Sequence, residues 1–137
     1  MSVMPKWPEQ DPASWLAFAA SDLAYARLGQ GDPEVWPSQV AFHAQQAVEK
    51  AFKAAMVKHS VLFPKTHDLE GLIALWRKAG LAWPAELDRI SEMTVFAVRA
   101  RYPGDIDPPT WKDVAAAIET AEQVLAWARS NLNPPSE

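Results

Sequence analysis

The chain has 137 residues, enough for one ordinary domain and too few for two. Thirteen Lys and Arg against 17 Asp and Glu give a formal charge of −4, which excludes a uniformly basic nucleic-acid binder but allows a local patch. The chain has no Cys, so disulfides, thiol catalysis and the common structural zinc sites are excluded, and the composition suits a reducing, cytoplasmic setting.

Twelve prolines divide the chain into five Pro-free stretches, 13–32, 38–63, 65–83, 85–102 and 110–133. Proline lacks an N–H and clashes with the preceding turn, so it is excluded from helix interiors and tolerated in the first turn. Pro12, Pro37 and Pro84 suit that first-turn place, and Gly29, Gly31, Gly80 and Gly104 suit helix stops. Gly71 falls inside the third stretch.

The first stretch carries Trp15, Ala19, Leu23 and Ala26 at helical spacing, with Asp11 as N-cap. In the second, Ala41, Ala44, Val48, Phe52, Ala55 and Met56 share one side. The third has Leu69, Leu72, Ile73 and Trp76, and the fourth Leu87, Ile90, Met93, Phe96 and Ala97. The fifth repeats Val114, Ile118, Ala121, Leu125, Ala128 and Leu132, behind a Thr110–Asp113 capping box. No stretch alternates with period two, so the fold class is all-α. Short connections favour antiparallel neighbours, and the expected architecture is an up-and-down antiparallel bundle of four long helices plus a shorter one. It is a single domain, 1–137, with its core over about 13–132. Trp15, Trp76 and Trp127 are expected as core anchors, and Trp36, Trp83 and Trp111 as rings stapling helix starts.

Charge is unevenly spread. Residues 35–67 hold Lys50, Lys53, Lys58 and Lys65 against Glu49 alone, +3 by count, and all three His, at 43, 59 and 67. On a helical wheel His43, Gln46, Lys50 and Lys53 fall within an arc of about 80°, opposite the apolar side. The second helix is thus expected to have an apolar back and a basic front, an anion site for phosphate, nucleotide or RNA backbone. The alternative is a solvated face whose Glu49–Lys53 pair contributes a few tenths of a kcal/mol. Gln45 projects beside the apolar side and needs a partner across the bundle or in an interface.

Phosphate-loop, dinucleotide and nucleophile-elbow motifs are absent, as is a His-Glu-x-x-His zinc motif. Asp105 and Asp107 alone make a poor metal site, and no metal or cofactor is implied. No run of 18 apolar residues would span a membrane, and the first ten residues lack the apolar core of a signal peptide.

Three segments in order, Phe-His-Ala-Gln-Gln-Ala-Val-Glu-Lys-Ala-Phe-Lys (42–53), Pro-Lys-Thr-His-Asp-Leu (64–69) and Ala-Arg-Tyr-Pro-Gly (100–104), resemble the HEPN domain. Trp15-Leu16 and Ser21-Asp22-Leu23 resemble its first helix, so the similarity runs over roughly 13–130. The resemblance implies an up-and-down bundle, usually a homodimer, engaged in nucleotide or RNA transactions and often encoded beside a minimal nucleotidyltransferase as a toxin–antitoxin pair. Many members are metal-independent ribonucleases in which an Arg is followed, after four to six residues, by a His. That pair is absent here: Asp32, Pro33 and Glu34 stand at those places after Arg27, Gly104, Asp105 and Ile106 after Arg99, and Ile106, Asp107 and Pro108 after Arg101. Nuclease activity is therefore not carried over.

Gln46, Glu49, Lys50 and Lys53 match the polar face of the family's second helix, and Arg101, Tyr102 and Pro103 its Arg-Tyr-Pro element. The expected ligand-binding set is His43, Gln46, Glu49, Lys50, Lys53, Lys65, His67, Arg101 and Tyr102. The leading expectation is a binding module for nucleotide or RNA phosphate, or for an acidic partner protein. The alternatives are a ribonuclease with a noncanonical pair such as His67 and Arg101, or a dimeric interaction module in which Arg101 and Glu49 bond each other.

Overall fold

A computed structural model describes residues 11–90, 93 and 108–132. Among them are four α-helices, α1 (Pro12–Gly29), α2 (Pro37–Lys58), α3 (Leu69–Lys78) and α4 (Trp111–Leu132), with a 3-10 turn at Ala85–Leu87 and no strand. The regular structure of the described residues is all-helical, as the periodicity requires. The expected fourth helix falls largely outside the described residues; Ile90 and Met93 are helical and buried in the common core.

Local chemistry sets the helix ends. Asp11 caps α1, its carboxylate accepting from Ala13 N–H at 3.0 Å and from Ser14 Oγ at 2.8 Å, with Pro12 in the first turn. At the start of α4, Thr110 Oγ1 accepts from Asp113 N–H at 3.2 Å while the Asp113 carboxylate accepts from Thr110 N–H at 2.8 Å. That is the reciprocal box its sequence announces. Gly71, unexplained by periodicity, lies in the first turn of α3, where Asp68 accepts from its N–H at 3.1 Å. A Cβ there would lie 2.6 Å from Asp68 Oδ2, so the missing side chain makes room for the cap. Asp68→Ala should cost about 0.5–2 kcal/mol, measured as a fall in thermal stability, since it strips this cap.

The end of α2 directs the chain to the site. Val61 N–H bonds Met56 C=O at 2.9 Å and Ser60 N–H bonds Val57 C=O at 3.1 Å, with Ser60 at φ +59°. This paired closure normally takes glycine; here serine holds the left-handed position and turns 61–67 back along the helix.

Cross-helix contacts fix directions. Trp15 meets Lys53, Asp22 meets Lys50 and Gly29 meets Val40, so α1 and α2 are antiparallel. Phe52 stacks on Trp127 and His59 bonds Asn131, so α2 and α4 run the same way. Arg27 and Glu122 pair between α1 and α4. Ala19 and Ala26 of α1 and Ala41, Ala44, Ala47 and Ala51 of α2 are all buried, and such small residues let packed helices approach closely.

α2 is the central helix. Its apolar side is buried as expected, but so are Gln45, Gln46, Glu49 and Lys53, because α1, α4 and the returning segment cover three sides. The Gln45 side chain makes no hydrogen bond to another described residue. At its C-terminal end Phe52 lies 5.4 Å from Trp76, 5.9 Å from Trp127 and 6.1 Å from Trp83, centre to centre. Trp76 donates to Ala82 C=O at 2.9 Å. Trp36, expected as a staple, is instead 73% exposed: it is the N-cap of α2 and its ring lies outside the core.

Candidate functional site

The polar arc of α2 divides into two groups, each neutralised by a carboxylate. Towards its middle, Lys50 Nζ lies 2.6 Å from Asp22 of α1 and 3.9 Å from the centre of the Phe18 ring. His43 Nδ1 is 3.4 Å from the same Asp22, and its ring packs 4.3 Å from Tyr25. Beside Lys50 in sequence, Glu49 is 1% exposed and takes two partners, Lys53 Nζ one turn further on at 3.0 Å and His67 Nδ1 at 3.0 Å. Lys53, 5% exposed, also donates to Thr66 C=O at 2.7 Å.

The expected basic front is therefore not an exposed stripe. The Glu49–Lys53 pair, solvated in the alternative reading of the sequence, lies inside, and the pairing of Lys50 with Asp22 takes that cation out of play. What remains uncompensated lies on the returning segment. Lys65 is exposed and has no ion pair among the described residues, and the His67 side chain is 69% exposed. A carboxylate only accepts, so His67 Nδ1 carries the hydrogen donated to Glu49, and Nε2 makes no bond among the described residues; an N–H there would donate to an anion.

These groups edge a cleft of about 560 Å³ lined by Trp15, Lys53, Phe63, Pro64, Lys65, Thr66 and His67. Its inner wall is aromatic: Lys53 Nζ lies 5.2 Å from the Trp15 ring centre and 5.6 Å from that of Phe63. Trp15 Nε1 is buried without a hydrogen-bond partner. Leaving such a donor unpaired costs about 1–3 kcal/mol, and among the described residues no other fully buried side-chain polar atom lacks a partner. A second groove, about 550 Å³, lies across α1 and the start of α2, between Tyr25, Leu28, Trp36 and His43.

A family model described as HEPN domain matches residues 13–131. The chain belongs to the HEPN domain family. No curated protein and no solved structure matches it.

Within this HEPN domain, the structure brings Lys53, Lys65 and His67 to one cleft, with Glu49 buried behind Lys53 and His67, and places His43 and Lys50 in a neighbouring cluster around Asp22. Gln46 is buried on the same helix. Arg101 and Tyr102, together with Asp105 and Asp107, lie outside the described residues. Sequence reasoning missed Asp22 as the partner of Lys50, Phe63 as a cleft wall and the Thr66 carbonyl as a lysine acceptor. Asp22 had a legible signal, an acid flanking the buried Leu23 on a helix antiparallel to the lysine-bearing one. The Thr66 carbonyl had none, since any residue type supplies one. No described helix is long and apolar enough to cross a membrane.

Proposed function

We propose that this HEPN domain binds the phosphate of a nucleotide or RNA at the cleft edged by Lys65 and His67. The observation that supports this reading is the pairing pattern. Asp22 and Glu49 offset Lys50 and Lys53, whereas Lys65 and His67 stand at the lip with no offsetting acid but the buried Glu49 behind the imidazole. Clustered cations attract phosphate, and HEPN domains act in nucleotide and RNA transactions. Arg101 and Tyr102 join the same site in this reading, while Glu49, Lys53 and Gln46 shape it from behind and His43 and Lys50 brace α1 against α2.

The test is binding of short RNA and nucleotides at low salt. Lys65→Ala should weaken binding severalfold and lower the salt slope by about one, since one phosphate contact is lost. Lys50→Ala should leave both unchanged because Asp22 already holds that cation. Equal losses in the two variants would refute the assignment.

The cell context in this reading is cytoplasmic, with a minimal nucleotidyltransferase as partner in a toxin–antitoxin pair and an up-and-down bundle that self-associates. Self-association is supported by exposed Phe18, Tyr25, Leu28 and Trp36 on α1 and at the start of α2, where aromatic residues suit an interface. A second reading, a metal-independent ribonuclease with a noncanonical site, is favoured by one observation: buried Glu49 orients His67 as a carboxylate orients a catalytic base. Cleavage lost in a folded His67→Ala variant supports it, and absence of cleavage by the parent protein removes it.

A further inference from the structure

The groove of about 550 Å³ across α1 and the start of α2 has the opposite charge character to the cleft. Glu34 lines it, and its carboxylate has no hydrogen bond or ion pair among the described residues. Asp32 accepts from Glu34 N–H at 2.8 Å and Val35 N–H bonds Asp32 C=O at 3.1 Å, so the turn that carries Glu34 is fixed. No Lys or Arg lines the groove, and residues 28–42 hold two acids and no base. His43, on its wall, and Lys50 behind it are both taken by Asp22, at 3.4 and 2.6 Å. The end of α1 and the first turn of α2 meet here, so the helix dipoles offset and side chains set the sign.

Two rings complete the groove. Tyr25 is 60% exposed and leans on His43, and Trp36 is 73% exposed; the two rings do not touch each other. Trp36 holds the N-cap of α2 without a side-chain bond, where Ser, Thr, Asp or Asn would serve the helix better. Open aromatic faces beside an unpaired carboxylate fit a planar cation. A guanidinium stacks on aromatic rings and pairs with a carboxylate through two parallel N–H groups. We propose that this groove docks an arginine side chain of a partner protein, stacked on Trp36 and Tyr25 and paired with Glu34. A small cation alone would stay half in solvent here, whereas small-molecule sites enclose roughly 70–90% of their ligand. A protein segment covers the rest, and Leu28, 82% exposed, gives it apolar surface. Within the chain, Arg27 and Arg89 are paired with Glu122 and Glu119, and Arg77 lies 4.6 Å over Trp83. Because self-association draws on Tyr25 and Trp36 as well, a bound partner and a second copy exclude each other on this face.

NMR titration of the full chain with a capped Leu-Arg-Leu peptide, its citrulline analogue and methylguanidinium provides the test. The arginine peptide should shift the Trp36 indole and Tyr25 ring signals and bind about 5- to 30-fold more tightly than the uncharged citrulline analogue. Glu34→Gln and Trp36→Leu, both at exposed positions, should leave the melting temperature unchanged and shrink that gap to about threefold or less. Equal binding of the arginine and citrulline peptides overturns the cation site. Methylguanidinium binding as tightly as the peptide overturns the protein partner in favour of a small cation. No shift with any probe overturns the docking site, and a dimer in sedimentation that Trp36→Leu dissociates then gives the groove to a second copy.

Discussion

Replacing Glu49 by alanine should destabilise the domain by about 3–5 kcal/mol, seen as a fall in Tm of more than about 10 °C. Glu49 is 1% exposed and is the only carboxylate near Lys53 among the described ion pairs. Its removal leaves an ammonium buried with one carbonyl, from Thr66, and frees His67 at the same time. An exposed pair at the same helical spacing would contribute only about 0.3–0.5 kcal/mol, so the size of the loss discriminates burial from solvation. The double replacement Glu49→Leu with Lys53→Met should recover most of the loss, because exchanging a whole buried pair for apolar groups is often neutral or stabilising. Unfolding of the single variant within about 1 kcal/mol of the parent would contradict the buried arrangement.

Phe52→Ala should cost about 3–5 kcal/mol. The side chain has no exposed surface and lies among Trp76, Trp83 and Trp127, three rings held by other segments. Trp76 is pinned by its bond to Ala82 C=O, so the cluster collapses only partly into the vacated space. Phe52→Leu, which keeps most of the volume, should lose much less. Urea unfolding checks both: the midpoint should drop with the slope unchanged, and a midpoint in Phe52→Ala equal to that of Phe52→Leu would show that the cavity closes.

Residue pattern and burial agree closely where one helix face meets one partner. Trp15, Ala19, Leu23 and Ala26 are buried on α1, and Val114, Ile118, Ala121, Leu125 and Ala128 on α4, as their spacing requires. Asp11, Pro12, Pro37 and the Thr110–Asp113 box mark the helix starts they announce, because capping is a local contest between nearby side chains and free N–H groups. The pattern misleads on α2, where polar residues at 46, 49 and 53 look like a solvated face. A helix flanked on three sides buries residues that periodicity assigns to water, and only tertiary contacts reveal that Glu49 and Lys53 satisfy each other. Trp36 fails for the opposite reason: size suggests burial, but from the cap position its ring edges the open groove across α1 and the start of α2. Lys53, Lys65 and His67 of the expected set line one cleft, while its Trp15 wall comes from α1, far away in sequence.

Lys53 and His67 both grip Glu49, and Lys53 also grips Thr66, so segment 61–68 is fastened to α2 at two successive residues. The lip is preorganised: its shape is set during folding, and a ligand arriving at Lys65 need not freeze a floppy loop. Much of the entropy that a disordered loop would surrender on association has already been spent when the chain folds, which favours weak, fast-exchanging ligands being recognised without a lid.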